Sequence, residues 1–215
     1  MSTITQSTYT LLDAAYGYFN TVLWASKLLS CAITMQRKSG SVGYFQGGHI
    51  GFKDNDQRAD EIALNPDTFK NRQLTDLLAT LVHEMAHAWQ AHFGKISRGG
   101  YHNQQWAEEM IRIGLQPSST GAPGGDVTGQ KMAHYIIAGG VFETACKAFI
   151  SGLDSVIDWY SVLEETATRK KKRASKTKFT CPECGLNAWA KADAELVCGV
   201  CECEMDREDG KEEDE

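Results

Sequence analysis

His83, Glu84 and His87 stand in the order H-E-x-x-H, inside the run Leu77 to Trp89, where apolar residues recur at helical spacing. Residues four apart lie on one helix face, about 40° from each other around the axis. Both imidazoles can therefore reach one metal ion, with the Glu84 carboxylate beside them as a base, and this is the signature of zinc peptidases. The bland reading is a helix that merely carries two histidines and a glutamate. A second set lies near the C-terminus, where Cys181-Pro182-Glu183-Cys184 and Cys198-Gly199-Val200-Cys201 form two C-x2-C pairs with thirteen residues between them. Two such turns on a short hairpin make a four-cysteine zinc ribbon, and four thiolates close the coordination sphere, so its role is structural. So short a module buries little core, and the metal supplies the missing folding energy. A redox dithiol is the alternative, and the pairing of two motifs argues against it. Cys203 is spare or competes with Cys201, and Cys31 and Cys146 read as buried thiols.

A catalytic zinc takes three protein ligands and keeps one position open. His92 is nine residues past His83 and falls on the opposite face of the helix. Glu108 and Glu109 follow His87 by 21 and 22 residues, a spacing at which a carboxylate on the next helix can complete a zinc site; a solvated helix face is the plainer reading. His102 lies just before that next helix, behind Gly99 and Gly100, whose backbone freedom could bring it under the motif helix. A His before a helix is ordinarily a surface residue. On residue types alone the carboxylates and His102 stay in competition.

The elements that must position these groups read as follows. Apolar spacing from Tyr9 to Leu29 predicts an amphipathic helix. Ala32–Met35 reads as a strand, Val42–Phe45 and Gly48–Phe52 as a Gly-rich hairpin, and Glu61–Leu64 as a further strand. The motif helix runs from Arg72 to Phe93, with Asn71 as cap and Gly94 at its end. A second helix spans Gln104–Ile113 with Asn103 as N-cap. Residues 116–131 are a loop, His134–Ile137 a strand and Phe142–Phe149 a helix. The order predicts an α+β domain, with a small antiparallel sheet holding the motif helix rigidly enough for a metal site. Domain limits follow at 1–167 for this unit, 168–178 for a basic linker, 179–205 for the ribbon and 206–215 for an acidic tail too poor in apolar groups to fold.

Charge is unevenly spread. The net of −6 arises in residues 202–215, which hold nine acids and two bases, leaving +1 for the rest. Residues 169–178 carry seven bases and no acid. That run, with the ribbon's Trp189, predicts phosphate contacts and stacking on unpaired bases by Arg169, Lys170, Lys171, Lys172, Arg173, Lys176, Lys178 and Trp189. A solvated linker and a Trp packed on the ribbon are the plainer reading. The seven cysteines are odd in number and locally clustered, which suits metal binding in a reducing compartment. No signal peptide and no stretch of 18 apolar residues is visible, so a cytoplasmic protein without membrane association is expected.

Tyr18-Phe19-Asn20, Gly43-Tyr44-Phe45, Glu61 to Asn65, Thr80 to Ala88, Gly100 to Trp106, Ser119 to Gly129 and His134 to Ile137 recur in an order that resembles the SprT family, which includes Spartan-type proteases that degrade proteins crosslinked to DNA. The likeness spans residues 9 to 205. It implies a zincin-like minimal metalloprotease fold. It also implies a third zinc ligand fifteen residues beyond the second His, which is His102, so that His83, His87 and His102 hold the zinc and Glu84 is the general base. A zinc peptidase acting on DNA-bound or crosslinked protein, with two zinc ions per chain, is the expectation, located at the nucleoid or in a nucleus. A non-catalytic nucleic-acid-binding or transcription-associated adaptor and a general metallopeptidase are the alternatives. Tyr101, His134 and Tyr135 are conceivable donors to a developing oxyanion, and Asp60, Glu61 and Asp76 are available to orient the imidazoles.

Overall fold

The computed structural model describes residues 2–153, 156–161 and 177–208. The chain divides into two compact units, Met1–Leu163 and Glu164–Glu215. Arg169, Lys170, Lys171, Lys172, Arg173 and Lys176 lie outside the described residues, as does most of the acidic tail.

The first unit is built on a helix, α2 (Leu74–Phe93), buried on nearly every side between Leu77 and Ala88. Such a helix needs apolar cover all round. Helix α1 (Ile4–Trp24) supplies Ala15, Phe19 and Leu23. Helix α3 (Gln104–Arg112) supplies Trp106 and Met110, and α4 (Val141–Ser151) supplies Phe142 and Ala145. Phe19 stacks on Phe142 with ring centroids 5.5 Å apart. Capping sets the helix starts. Thr3 and Gln6 form a capping box on α1, so the helix begins five residues before Tyr9. Helix α2 begins at Leu74 and its cap is Gln73, not Asn71, because the Asp76 carboxylate accepts the Gln73 backbone N–H at 3.1 Å.

The sheet has the order β1 (Cys31–Met35), β3 (Arg58–Leu64), β2 (Gly43–Gly51). It is mixed, because β1 runs parallel to β3 while β2 is antiparallel to it. The expected hairpin of Val42–Phe45 and Gly48–Phe52 is instead one strand. Its register shifts between Gln46 and Ile50, where Gly48 takes φ 60° and gives its N–H to Asp60 at 2.8 Å. A bulge absorbs the glycines that resembled a turn. Beyond α3, β4 (Leu115–Ser118) pairs antiparallel with β5 (Ala133–Ile136), so a strand opens the segment expected to be all loop. Residues 156–161 return to α1, where the Trp159 indole donates to Thr8 at 2.8 Å.

In the second unit β6 (Thr177–Thr180) pairs with β7 (Asn187–Ala190) and with β8 (Asp206–Arg207). The start of the acidic tail is therefore folded. Its backbone satisfies the open edge of β6, and Lys178 meets Glu208 at 2.6 Å, which offsets the acidic composition. Among the described residues no helix is long and apolar enough to cross a membrane.

Candidate functional site

Helix α2 places His83 and His87 one turn apart, with ring centroids separated by 5.2 Å. His102 reaches them from the segment before α3, at 5.7 Å from His83 and 4.8 Å from His87. One nitrogen from each of the three lies within 4.8 Å of the others. Gly129 fixes His102 in that place. The two residues exchange backbone hydrogen bonds of 2.8 and 3.1 Å, and the His102 Nδ1 lies 3.2 Å from the Gly129 carbonyl. Trp106, fully buried, stacks against His87 at 5.1 Å and meets His102 edge-on at 4.4 Å. Asn103 caps α3 by accepting the Trp106 N–H at 3.0 Å and is itself held by Gln90 of α2 at 2.7 Å. The segment His102, cap Asn103, Trp106 is thus tied to α2 through Gln90 and His87.

The competing ligands are engaged elsewhere. Glu109 is buried against the Trp24 indole at 2.6 Å and paired with Arg112, while Glu108 is exposed beside Gln104. His92 sits on the far side of α2, 2.5 Å from Asp60. None of the three carboxylates available to orient the imidazoles does so. Asp60 serves Gly48 and His92, Glu61 serves Thr34, and Asp76 caps α2. The Gly129 carbonyl and His134 take that place. His134 Nδ1 lies 3.0 Å from His83 Nδ1. His83 and His102 therefore each spend Nδ1 on a protein partner and keep Nε2 for a metal. A lone His at the start of a short strand gave no sign of this contact, and the sequence offered His134 only as a conceivable oxyanion donor.

Burial sets the charge states. His87 is pushed down to about 3, by desolvation first and His102 second. His83 and His102 are lowered for the same first reason, and His134 is brought to about 4 by burial and then by the Arg72 charge. Neutral imidazole is the form that ligates metals. Burial also raises Glu84 to about 8, with the Phe45 backbone N–H and the Lys38 charge pulling the other way. Gly43 lets β2 pass this close, since a Cβ there would sit 3.0 Å from the Ala63 carbonyl and 3.3 Å from Glu84 Oε1. The donor set fits a cation: three uncharged nitrogens and a carboxyl that needs a nearby positive charge to ionise. All of this opens into a cleft of about 1110 Å³, flanked by β2 and by the segment from Ile96 to His102.

The second unit gathers Cys181, Cys184, Cys198 and Cys201, again within 4.8 Å. Each C-x2-C turn closes by a backbone bond from the fifth residue, Gly185 to Cys181 at 2.9 Å and Glu202 to Cys198 at 2.8 Å. Those fifth residues take φ of 71° and 53°. Cys184 and Cys198 sulfurs are 3.7 Å apart. A tetrahedron with zinc–sulfur bonds of about 2.3 Å has an edge of about 3.8 Å. Cys203 lies 3.5 Å from Cys181, so a fifth thiol borders the cluster. Contact with the Cys184 sulfur pushes Cys201 up to about 12, and contact with Cys181 pushes Cys203 up to about 11. Such crowding of thiols is relieved by a cation. Trp189 is 59% exposed, so it faces solvent instead of packing on the ribbon.

No curated protein matches the chain. Residues 17–123 match the model of the SprT-like family, a span that contains α2, β2 and His102.

Proposed function

From the premise that this chain belongs to the SprT-like family, we propose that it is a zinc-dependent endopeptidase acting on proteins bound or crosslinked to DNA. The observation that carries the reading is the convergence of His83, His87 and His102 beside Glu84 on one wall of an open cleft. Imidazole and thiolate donors suit zinc in both clusters. His83, His87 and His102 would hold the ion, which would supply Lewis acidity to a peptide carbonyl and to the attacking water. Glu84 accepts the proton of that water and returns it to the leaving amine, a general-base role. A carboxyl raised by burial is suited to hold a proton between those two events. Gly129 and His134 hold the imidazoles in their tautomers, and Trp106 excludes water from behind them.

The ribbon is the proposed DNA-contacting module. Its exposed Trp189 offers a stacking face, and the basic residues 169–173 and 176 precede it in sequence. Such a protein works at the nucleoid, or in a nucleus where the host has one. The test is to incubate the purified protein with a DNA-binding protein, with and without DNA and chelator. Cleavage that requires metal and is stimulated by DNA is expected. Cleavage indifferent to DNA would make it a general metallopeptidase, and biological activity that survives Glu84→Gln would make both metal sites structural.

A further inference from the structure

Charge in the cleft is lopsided once the groups with work to do are set aside. Glu84 belongs to the reaction, and Asp76 caps α2 beside Arg72. The remaining charged side chains on the walls are Arg98 and Lys131, both exposed. Lys38 adds a third cation. Its Nζ sits 4.3 Å over the ring of Tyr44, which lines the β2 flank, and its charge reaches Glu84. Among the described residues none of these three cations meets a carboxylate within ion-pair distance.

Arg98 is the most firmly placed of them. It opens a turn that the Tyr101 N–H closes on its carbonyl at 3.1 Å. The Gln130 side-chain amide donates to the Gly99 carbonyl at 3.0 Å, so the turn is pinned to the segment whose Gly129 also holds His102. The guanidinium carbon lies 5.0 Å from the centre of the Tyr101 ring, and Tyr101 directly precedes His102. A short, tethered stretch of chain therefore fixes where Arg98 stands relative to the three histidines. An arginine held over an aromatic face by cation–π attraction keeps its N–H groups for another partner.

The kind of partner follows from where these charges stand. An excess of one sign in a cleft with low-dielectric walls concentrates the opposite sign there. Arg98 and Lys131 line the space that a peptide occupies on its way to Glu84, so the anions they meet are side chains of that peptide. A guanidinium binds a carboxylate through two parallel hydrogen bonds, while an ammonium acts as a point charge.

We infer that the cleft selects substrate segments carrying aspartate or glutamate, with Arg98 the specificity-determining residue that binds one of their carboxylates. This deepens the peptidase reading and rests on it. Lys38 and Lys131 strengthen the field without fixing a geometry.

Binding of uncleaved peptides tests it. The probes are neutral peptides with blocked termini and an uncharged fluorophore, in which a single Asp, Asn or Lys is moved along the sequence. Each is titrated by anisotropy into the zinc-loaded full chain carrying Glu84→Gln. At the best position Asp should bind about 3- to 10-fold tighter than Asn, the range of an exposed but bidentate pair. The advantage should shrink as salt is raised. Adding Arg98→Ala should remove most of it, and Arg98→Glu should turn the preference toward Lys, a reversal that mere loss of structure would not produce. Zinc content is matched throughout. Asp and Asn binding alike at every position would overturn the inference. So would a difference that survives Arg98→Ala, as direct binding of the carboxylate to zinc would give. An Arg98→Ala variant that keeps the Asp preference and loses affinity for an oligonucleotide would make this rim a nucleic-acid contact instead. Cleavage by the unmutated protein is scored separately; its absence overturns the peptidase reading, and the binding series still decides the role of Arg98.

Discussion

At the scale of the residue, neighbours in one cleft have opposite protonation habits. In the metal-free protein His87 sits at about 3 and His134 at about 4, both lowered mainly by burial. An unfolded His titrates near 6.5, so their contribution is present above pH 6.5 and is lost as pH falls toward those values. Glu84, raised by burial to about 8 against 4.5 when unfolded, works the other way: its contribution is present below pH 4.5 and lost as pH rises through 8. Several histidines outweigh one glutamate on the acid side. Chelator-treated protein should therefore unfold at its highest temperature near pH 6.5, and Glu84→Gln should flatten the decline between pH 6.5 and 8. A melting temperature that climbs steadily to pH 8 in the parent would contradict this balance.

At the scale of the element, the site depends on two close approaches. Trp106 backs all three imidazoles. Trp106→Ala should cost about 3–5 kcal/mol in chemical denaturation and weaken zinc binding to the first unit. Stability lost without any change in zinc affinity would mean that the ring only fills space. Gly43→Ala forces a Cβ to within 3.0 Å of both Ala63 and Thr80, an overpacking of about 1–3 kcal/mol. It should also slow peptide cleavage by displacing β2 from Glu84, and an unaltered turnover would place β2 outside the working cleft. In the ribbon, Gly185→Ala should destabilise the zinc-bound form by about 1 kcal/mol, since φ of 71° disfavours a Cβ. These contacts mark the limit of what the sequence carried. The His83–His87 pair was legible because a helix fixes the phase of residues four apart. The thiol cluster was legible because C-x2-C turns are local. His102 could not be chosen over Glu108 or Glu109 by spacing, because its position depends on Gly129, 27 residues later. His134 met the site for the same non-local reason. The Gly47-Gly48 pair misled because a bulge and a turn use the same residues.

At the scale of the molecule, two groups of candidate metal ligands lie in two separate units. A chain truncated after residue 163 should keep one zinc where the full chain keeps two, and should retain metal-dependent cleavage of an unfolded peptide while losing stimulation by DNA. Metal analysis and cleavage with and without DNA check this, and stimulation that persists in the truncated chain would move the DNA contact to the first unit. The α+β order of elements was readable from periodicity and punctuation along the chain. The parallel pairing of β1 with β3 was not, because nothing local in Cys31–Met35 states which strand it joins.

The most direct measurement compares the parent and Glu84→Gln at equal zinc content on one DNA-bound protein substrate. About two zinc ions in each are expected, with cleavage by the parent and a rate at least about 100-fold lower in the variant, the low end of what a general base contributes. Equal rates at equal zinc, or a zinc-loaded parent that cuts nothing, would contradict this mechanism.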